Sequence, residues 1–308
     1  MTEFGFIDKL GEIFATIGSQ HGFEGIGDDC AVLPLTGGDT LVFTTDMLVE
    51  DVHFLREATS PYDLGRKSLA VNLSDVAAMG AKPIATLSSI SVPKELMGEW
   101  LNDFMRGYRD LSAEHSVALI GGDTTGSKSG KFTINVTAIG RCPQSCLKRR
   151  AAAKVGDAIY VTGSLGGSGA GLKDILDGKF DTELAMLHKN PTPRIAEGEW
   201  LGAQSSVNAM MDISDGIGSD LRHILKLSNV GAEVELRSIP IYNELVTLEQ
   251  ALSAGEDYEL LFTASSDFDP LSAPFAVTAI GKITAGEGIK WLSDGTATTL
   301  EFRGFNHY

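Results

Sequence analysis

The sequence predicts a mixed α/β protein of two domains, residues 1–145 and 146–308, and three observations point to it. At 308 residues the chain is long enough for two cores of ordinary size. Short apolar, β-branched runs alternate with longer stretches whose apolar residues recur at helical spacing. A basic, Ala-rich segment at 142–156 interrupts that alternation, which then restarts.

Phe6, Leu10, Ile13, Phe14 and Ile17 mark a short amphipathic helix over 3–17, followed by a turn at 25–29. Residues 41–45 are a β-rich run ending on Asp46. Residues 61–79 read as a long helix, with Pro61 suited to its first turn and Gly80 to its end. A strand at 83–92, a second long helix at 95–115 and a short buried strand at 117–120 follow. That last strand leads into Gly121-Gly122-Asp123, and the alternation of 131–140 closes the first half. Beyond the break, 158–162 reads as a strand and the Gly-rich stretch 163–171 opens a helix that runs to 176. Helices at 193–203, 217–228 and 242–254 are interleaved with strands at 209–213, 232–236, 259–264, 276–283 and 289–292. No tandem repeat of 20–50 residues accompanies this two-part layout.

Composition narrows the function. Hydrophobic residues make up 43% and the formal charge is −16, so the chain is globular, and its field opposes non-specific binding to nucleic acid or an anionic membrane. An anionic nucleotide is not excluded, because bound cations invert a local field. Three cysteines, Cys30, Cys142 and Cys146, offer no disulfide framework and no second pair for a zinc site. There is no basic-then-apolar start and no apolar run of about 18 residues, and the expectation is a cytoplasmic protein without nucleic-acid or membrane partners.

Seven aspartates fall in short Gly- or Thr-flanked clusters: Asp28 and Asp29, Asp46, Asp75, Asp123, Asp212 and Asp215. Singly, each suits a turn or helix cap. As a set they are harder to dismiss, since Asp46, Asp123 and Asp212 each close an apolar β run, where open α/β sheets place their ligands. Carboxylates gathered at one rim repel unless cations sit between them, which points to hard divalent metals and a phosphate-bearing ligand. Asp215 precedes a helix start at Gly216-Ile217, whose free N–H groups suit a phosphate. Thr44 and Asp46 share a strand face, while Thr45 points to the other and could offer only its carbonyl. Asp75 sits late in an apolar helix, where it needs a partner.

There is no P-loop and no protein-kinase signature. The Gly163–Gly169 stretch reads either as a plain tight turn or as a weak phosphate loop. The pair Arg149-Arg150 reads either as solvated linker charge or as a phosphate clamp. His53, beside the Thr44-Thr45-Asp46 segment, stands alone and has no local nucleophile to serve.

Read in order, the motifs GIGDDCAVL (25–33), TTDMLVEDVHF (44–54), AVNLSDVAAMGAKP (70–83), GGDTT (121–125), MDISDGI (211–217), GEDYEL (255–260) and FRGFNH (302–307) resemble the thiamine-monophosphate kinases, a family of the aminoimidazole-ribonucleotide-synthetase-like superfamily. The resemblance implies N-terminal domains that pair in a homodimer through a shared β-barrel, each with a C-terminal α/β domain over the site. It implies ATP-dependent phosphorylation of thiamine phosphate to thiamine diphosphate, the alternative being another ATP-dependent synthetase of the superfamily. By position, the family's Mg²⁺ ligands fall on Asp29, Thr44, Thr45, Asp46, Asp75, Asp123, Asp212 and Asp215. ATP contacts fall on Gly122, Asp123, Arg150 and Ser214, and substrate contacts on His53, Glu256 and Phe302. The segment after Arg150 departs from the family's usual pattern, which leaves Arg149 and Arg150 as alternatives. A phosphate acceptor needs no strong general base, so direct in-line transfer assisted by several Mg²⁺ ions is the expected chemistry, with no acid or base residue assigned.

Overall fold

The computed structural model describes residues 3–302 and 304; of the C-terminal motif, Arg303 and residues 305–307 lie outside the described residues. The first half contains α1 (Glu3–Gln20), β1 (Ala31–Pro34), β2 (Asp39–Val49), α2 (Pro61–Ala78), β3 (Lys82–Pro93), α3 (Glu99–His115), β4 (Ala118–Ser127) and β5 (Thr133–Pro143). Its strands form one sheet in the order β1-β2-β5-β3-β4, antiparallel except for the β3–β4 pair.

The second half contains β6 (Ala158–Thr162), α4 (Gly167–Leu176), α5 (Glu183–Lys189), α6 (Ile195–Ala203), β7 (Val207–Asp212), α7 (Ile217–Ser228), β8 (Gly231–Glu235), α8 (Leu248–Ser253), β9 (Leu260–Ala264), β10 (Val277–Thr284), β11 (Gly288–Ser293) and β12 (Thr296–Ala297). Its sheet runs β12-β11-β8-β10-β6-β9-β7. The mixed α/β class therefore stands, with one sheet in each half.

Helix α2 joins the halves. Ser60 caps it by accepting the Asp63 N–H at 3.0 Å, and Pro61 occupies the first turn. It is buried on almost every side, packing against β5 and α3 on one flank and against α6 and β7 on the other. Against α3 the two backbones touch: a Cβ on Gly65 would lie 2.0 Å from the Phe104 carbonyl oxygen, and one on Gly107 1.9 Å from that of Tyr62. One continuous core then runs from Leu64, Leu69 and Phe104 through to Tyr160, Leu260 and Phe262 of the second sheet. This helix presents Asp75 to both halves at once.

The structure departs from the sequence reading at several points. Strand β4 is neither short nor buried, since its pairing with β3 carries it through Gly121-Gly122-Asp123 to Ser127. Asp123 is therefore mid-strand, as is Asp46 in β2; only Asp212 ends a strand. The strand-end rule suits parallel sheets, and this first sheet is mostly antiparallel. The helix expected over 242–254 shortens to α8, and α5 was not anticipated. The 142–156 segment is packed rather than loose: buried Lys148 donates to the carbonyls of Gln204 and Val207, both at 2.8 Å. All three thiols are free, Cys30 and Cys142 being buried. Among the described residues no helix is long and apolar enough to cross a membrane.

Candidate active site

Four carboxylates from four elements converge where α2 meets both sheets. Asp29 precedes β1, Asp46 lies in β2, Asp75 near the end of α2, and Asp212 closes β7. Oxygens of Asp29, Asp75 and Asp212 all lie within 4.8 Å of one another. Short polar side chains hold the group in place. Thr44 Oγ1 donates to Asp75 Oδ2 at 2.5 Å, and Ser74 Oγ donates to Asp212 Oδ2 at 2.5 Å. Asn72 Oδ1 accepts the Asp46 N–H at 3.0 Å. In the motif Asn72-Leu73-Ser74-Asp75, helical spacing thus ties α2 to two carboxylate-bearing strands, Asn72 and Asp75 to β2 and Ser74 to β7.

Only one of the two adjacent arginines faces this cluster. Arg150 grips Asp29 with both arms, Nη2 to Oδ1 at 2.5 Å and Nε to Oδ2 at 3.2 Å, and its backbone N–H donates to Asp28 Oδ1 at 3.2 Å. Arg149 pairs with Glu24 instead, 2.5 Å away.

The acids are electrostatically overloaded. Burial, then the charge of Asp29, pushes Asp212 up to about 8 and Asp46 up to about 6. Burial followed by Asp46, Asp212 and Asp29 drives Asp75 well above the carboxylate range. Asp28 rises to about 7, from burial and then Asp29. A protein alone cannot keep these groups ionised together, whereas hard cations can. An all-oxygen donor set of buried and half-buried carboxylates with threonine and serine hydroxyls beside them fits Mg²⁺.

A cavity of about 510 Å³ opens from the cluster, with Asp46, Asp75, Ser214 and Asp215 on its wall and His53, Lys67, His188 and Glu256 farther round the lining. Val52, Leu55, Leu172 and Ile175 add apolar surface. His53 Nδ1 accepts the Val49 N–H at 3.0 Å, so in the neutral ring the proton sits on Nε2. Asp215 is oriented by a carboxylate the sequence reading missed: buried Asp220 accepts its N–H at 3.2 Å. The loop carrying Glu256 is fastened to the loop carrying Ser214, with the Glu256 N–H on the Ser214 carbonyl at 2.8 Å and the Tyr258 N–H on that of Ile213 at 2.9 Å.

Other expected site residues are not brought here by the chain itself. Thr45 projects from the opposite sheet face, where it donates to the Val136 carbonyl and accepts from Asn135 and Thr137. Gly122 and Asp123 lie on the exposed edge strand β4, outside the cavity lining, with β3 and β5 between them and β2. Three strand spacings put them about 14 Å from Asp46. Gly122 has a packing reason of its own, since a Cβ there would lie 1.7 Å from the Ser88 carbonyl oxygen. Phe302 does not line the cavity; it is 8% exposed and packs edge-on against Trp291 at 5.1 Å, inside the second core. Among the described residues, Gly304, two positions on, reaches the cavity wall.

The Gly163–Gly169 stretch resolves as a structural turn. Its Gly166 and Ser168 N–H groups donate to the carboxylate of Asp257 at 2.6 and 3.1 Å, which takes the place an anion would need. Lys67 and His188 were also missed. A lysine inside a largely apolar helix was a readable sign for the first, and Thr182-Glu183 opening α5 for the second.

Comparison with known proteins gives this geometry a family. The family model described as AIR synthase related protein, N-terminal domain, matches residues 27–142, and its C-terminal counterpart matches 154–291. The thiamine-monophosphate kinase of Escherichia coli K12 is 39% identical over 306 residues, covering 92% of this chain and 91% of its own. That of Aquifex aeolicus is 35% identical over 321 residues, covering 99% and 98%. A solved structure of AaThiL complexed with AMPPCP and TMP superposes with a TM-score of 0.87 at 33% identity, covering 100% of this chain and 97% of that one. The two halves, the shared fold and the identity along nearly the whole length show that this chain belongs to the thiamine-monophosphate kinase family.

Proposed function

We propose that the protein phosphorylates thiamine phosphate to thiamine diphosphate with ATP, by direct in-line transfer without a phosphoenzyme. Family membership and the ligands named for the AaThiL complex support the reading. The observation that carries it is the Asp29–Asp75–Asp212 cluster, with Asp29 and Asp212 buried and Asp75 on the wall of a cavity that also holds His53 and Glu256. Several Mg²⁺ ions, when bound, would neutralise the phosphates of both substrates. Asp29, Asp46, Asp75, Asp212 and Asp215 would hold them, with Thr44 and the Thr45 carbonyl nearby. Arg150 is already at the cluster and can transfer its two-armed grip to phosphate oxygens once cations take over Asp29. Ser214 offers a hydroxyl to the nucleotide, while His53 and Glu256 face the acceptor.

The arrangement of Gly122 and Asp123 fits a homodimer. The outer face and edge of the first sheet expose Met47, Ile84, Leu87, Leu119 and Ile120, the last at 60%. Apolar surface and an unpaired edge of this kind suit pairing with a second copy. Such pairing would let the partner's Asp123 reach a site that its own chain leaves about 14 Å away. The division into domains is placed at 145/146, between the last strand of one sheet and the first of the other, and the three free thiols suit a cytoplasmic enzyme.

The deciding experiment is a coupled assay of purified protein with ATP, Mg²⁺ and thiamine phosphate, with free thiamine as the control acceptor. ADP and thiamine diphosphate formed only with thiamine phosphate support the reading. ATP turnover without thiamine diphosphate would place the chain with another ATP-dependent synthetase chemistry.

A further inference from the structure

Two cationic or ionisable side chains close on the Glu256 carboxylate from helices remote in sequence. Lys67 of α2 is only 1% exposed, with Nζ 3.0 Å from Glu256 Oε2 and 3.5 Å from His188 Nε2. His188 of α5 places Nδ1 3.2 Å from the same Oε2 and 3.0 Å from Ser168 Oγ. An ammonium only donates, so Nε2 of the neutral ring accepts and Nδ1 carries the proton facing Glu256. Both contacts fall on Oε2; among the described residues Oε1 takes no hydrogen bond and is the oxygen left for a ligand. The backbone adds rigidity, since Glu256 is held at φ +63°, a left-handed conformation that a non-glycine residue keeps only when its surroundings impose it.

We infer that Lys67, backed by His188, is a positioning and specificity-determining residue: it fixes Glu256 as an ionised, outward-facing acceptor for the cationic ring or amino group of the phosphate acceptor. The inference rests on the function proposed above. Burial alone would raise the proton affinity of Glu256, yet its pKa is lowered, because Lys67, His188 and more distant His53 outweigh desolvation. A protonated glutamic acid in that place would donate where it should accept, and would leave a cation unmatched. His188 is a reserve rather than a second charge. Burial, then the adjacent Lys67, pushes it down to about 4, with Lys189 on its own helix acting the same way and Glu256 and Ser168 opposing.

The test is steady-state kinetics of full-length Lys67→Met at pH 6 and pH 8, varying thiamine phosphate and ATP in turn. The expected result at pH 8 is a KM for thiamine phosphate raised on the order of tenfold or more, the consequence of leaving one partner of a buried pair uncompensated. The KM for ATP should move by less than about twofold, because the Lys67 ammonium contacts Glu256 and His188, neither of which is assigned to the nucleotide. At pH 6 the defect should shrink, since His188 freed of its cationic neighbour can protonate and replace it. Lys67→Met/His188→Asn should lose that acid recovery. His188→Asn alone should raise the same KM severalfold and gives the readout if Lys67→Met does not fold. Equal change in both KM values, a fall in kcat at constant KM, or a pH-independent defect would overturn the inference. Product formation by the wild type tests the underlying function separately.

Discussion

Replacing Asp212 by Asn should make the metal-free protein more stable while sharply weakening its response to Mg²⁺. In an unfolded chain this carboxyl ionises near 3.8, whereas in the fold it holds its proton until about 8. The raised value means that its contribution to stability is fully present below pH 3.8 and is lost as pH rises toward 8. At about 1.36 kcal/mol for each of roughly three pH units, the loss by pH 7 is at most about 4 kcal/mol. An amide does not ionise and can still accept from the Ser74 hydroxyl, which sits 2.5 Å from Oδ2. The assay is thermal unfolding of wild type and Asp212→Asn from pH 4 to pH 8, in EDTA and in Mg²⁺. In EDTA the variant should melt higher at pH 7, by on the order of 5–10 °C, and the advantage should vanish near pH 4. Mg²⁺ at about a hundred times its Kd should stabilise the wild type by about 2.7 kcal/mol and the variant by much less. A variant less stable than wild type in EDTA at every pH, or equally stabilised by Mg²⁺, would refute the account of the acid cluster as a cation site held open at electrostatic expense.

Four further outcomes follow from the geometry. Mixing two inactive variants, Asp123→Ala and Asp212→Asn, should restore activity toward about a quarter of wild type if each site draws Asp123 from the partner, and none if each site is built within one chain. Phe302→Leu should lower the melting temperature, consistent with about 1–2 kcal/mol of lost packing against Trp291, yet leave the KM for thiamine phosphate within about twofold; a selective KM rise would return Phe302 to the substrate site. Gly122→Ala should destabilise the protein by about 2 kcal/mol or more in a melt, because its Cβ would meet the Ser88 carbonyl. Arg150→Lys should raise the KM for ATP several-fold while Arg149→Lys does not, because only Arg150 reaches Asp29, and equal effects in ATP titrations would contradict that distinction.

What the sequence disclosed, and what it hid, divides along range of interaction. Helix α7, the core of α2 and most strands were legible because cap residues and apolar periodicity are local signals. The carboxylates of the cluster were legible as a set because their motifs each carry short polar neighbours. The extent of β4 was not legible, since it depends on pairing with β3 through two glycines that read locally as a turn. Asp257 illustrates the opposite error. The Gly163–Gly169 stretch has the local look of a phosphate loop, but a carboxylate about 90 residues away fills its N–H groups. Lys67 and His188 lie 121 residues apart, yet they touch each other and share the Glu256 carboxylate, a relation no spacing rule encodes.

The two ends of the proposed site are connected by backbone, and that bears on how transfer would be aligned. Asp212 closes β7, Ser214 and Asp215 follow directly, and the Glu256 and Tyr258 N–H groups bond to the carbonyls of Ser214 and Ile213. Gly255 must lie so close that a Cβ there would sit 2.1 Å from the Ser214 carbonyl oxygen. On the roles proposed above, the carboxylate assigned to the acceptor and those assigned to the cations are therefore tied together through backbone. In-line transfer depends on the distance between an attacking phosphate oxygen and the γ-phosphorus, and a misplacement of about 1 Å is worth on the order of a hundredfold in rate. A side chain at residue 255 would push these loops apart without removing any ligand of either substrate. Gly255→Ala should accordingly lower kcat by on the order of tenfold or more while both KM values change far less, a pattern expected of lost alignment rather than lost binding. If instead the thiamine phosphate KM alone rises, Glu256 has shifted independently of the cluster, and the two ends are not coupled through these hydrogen bonds.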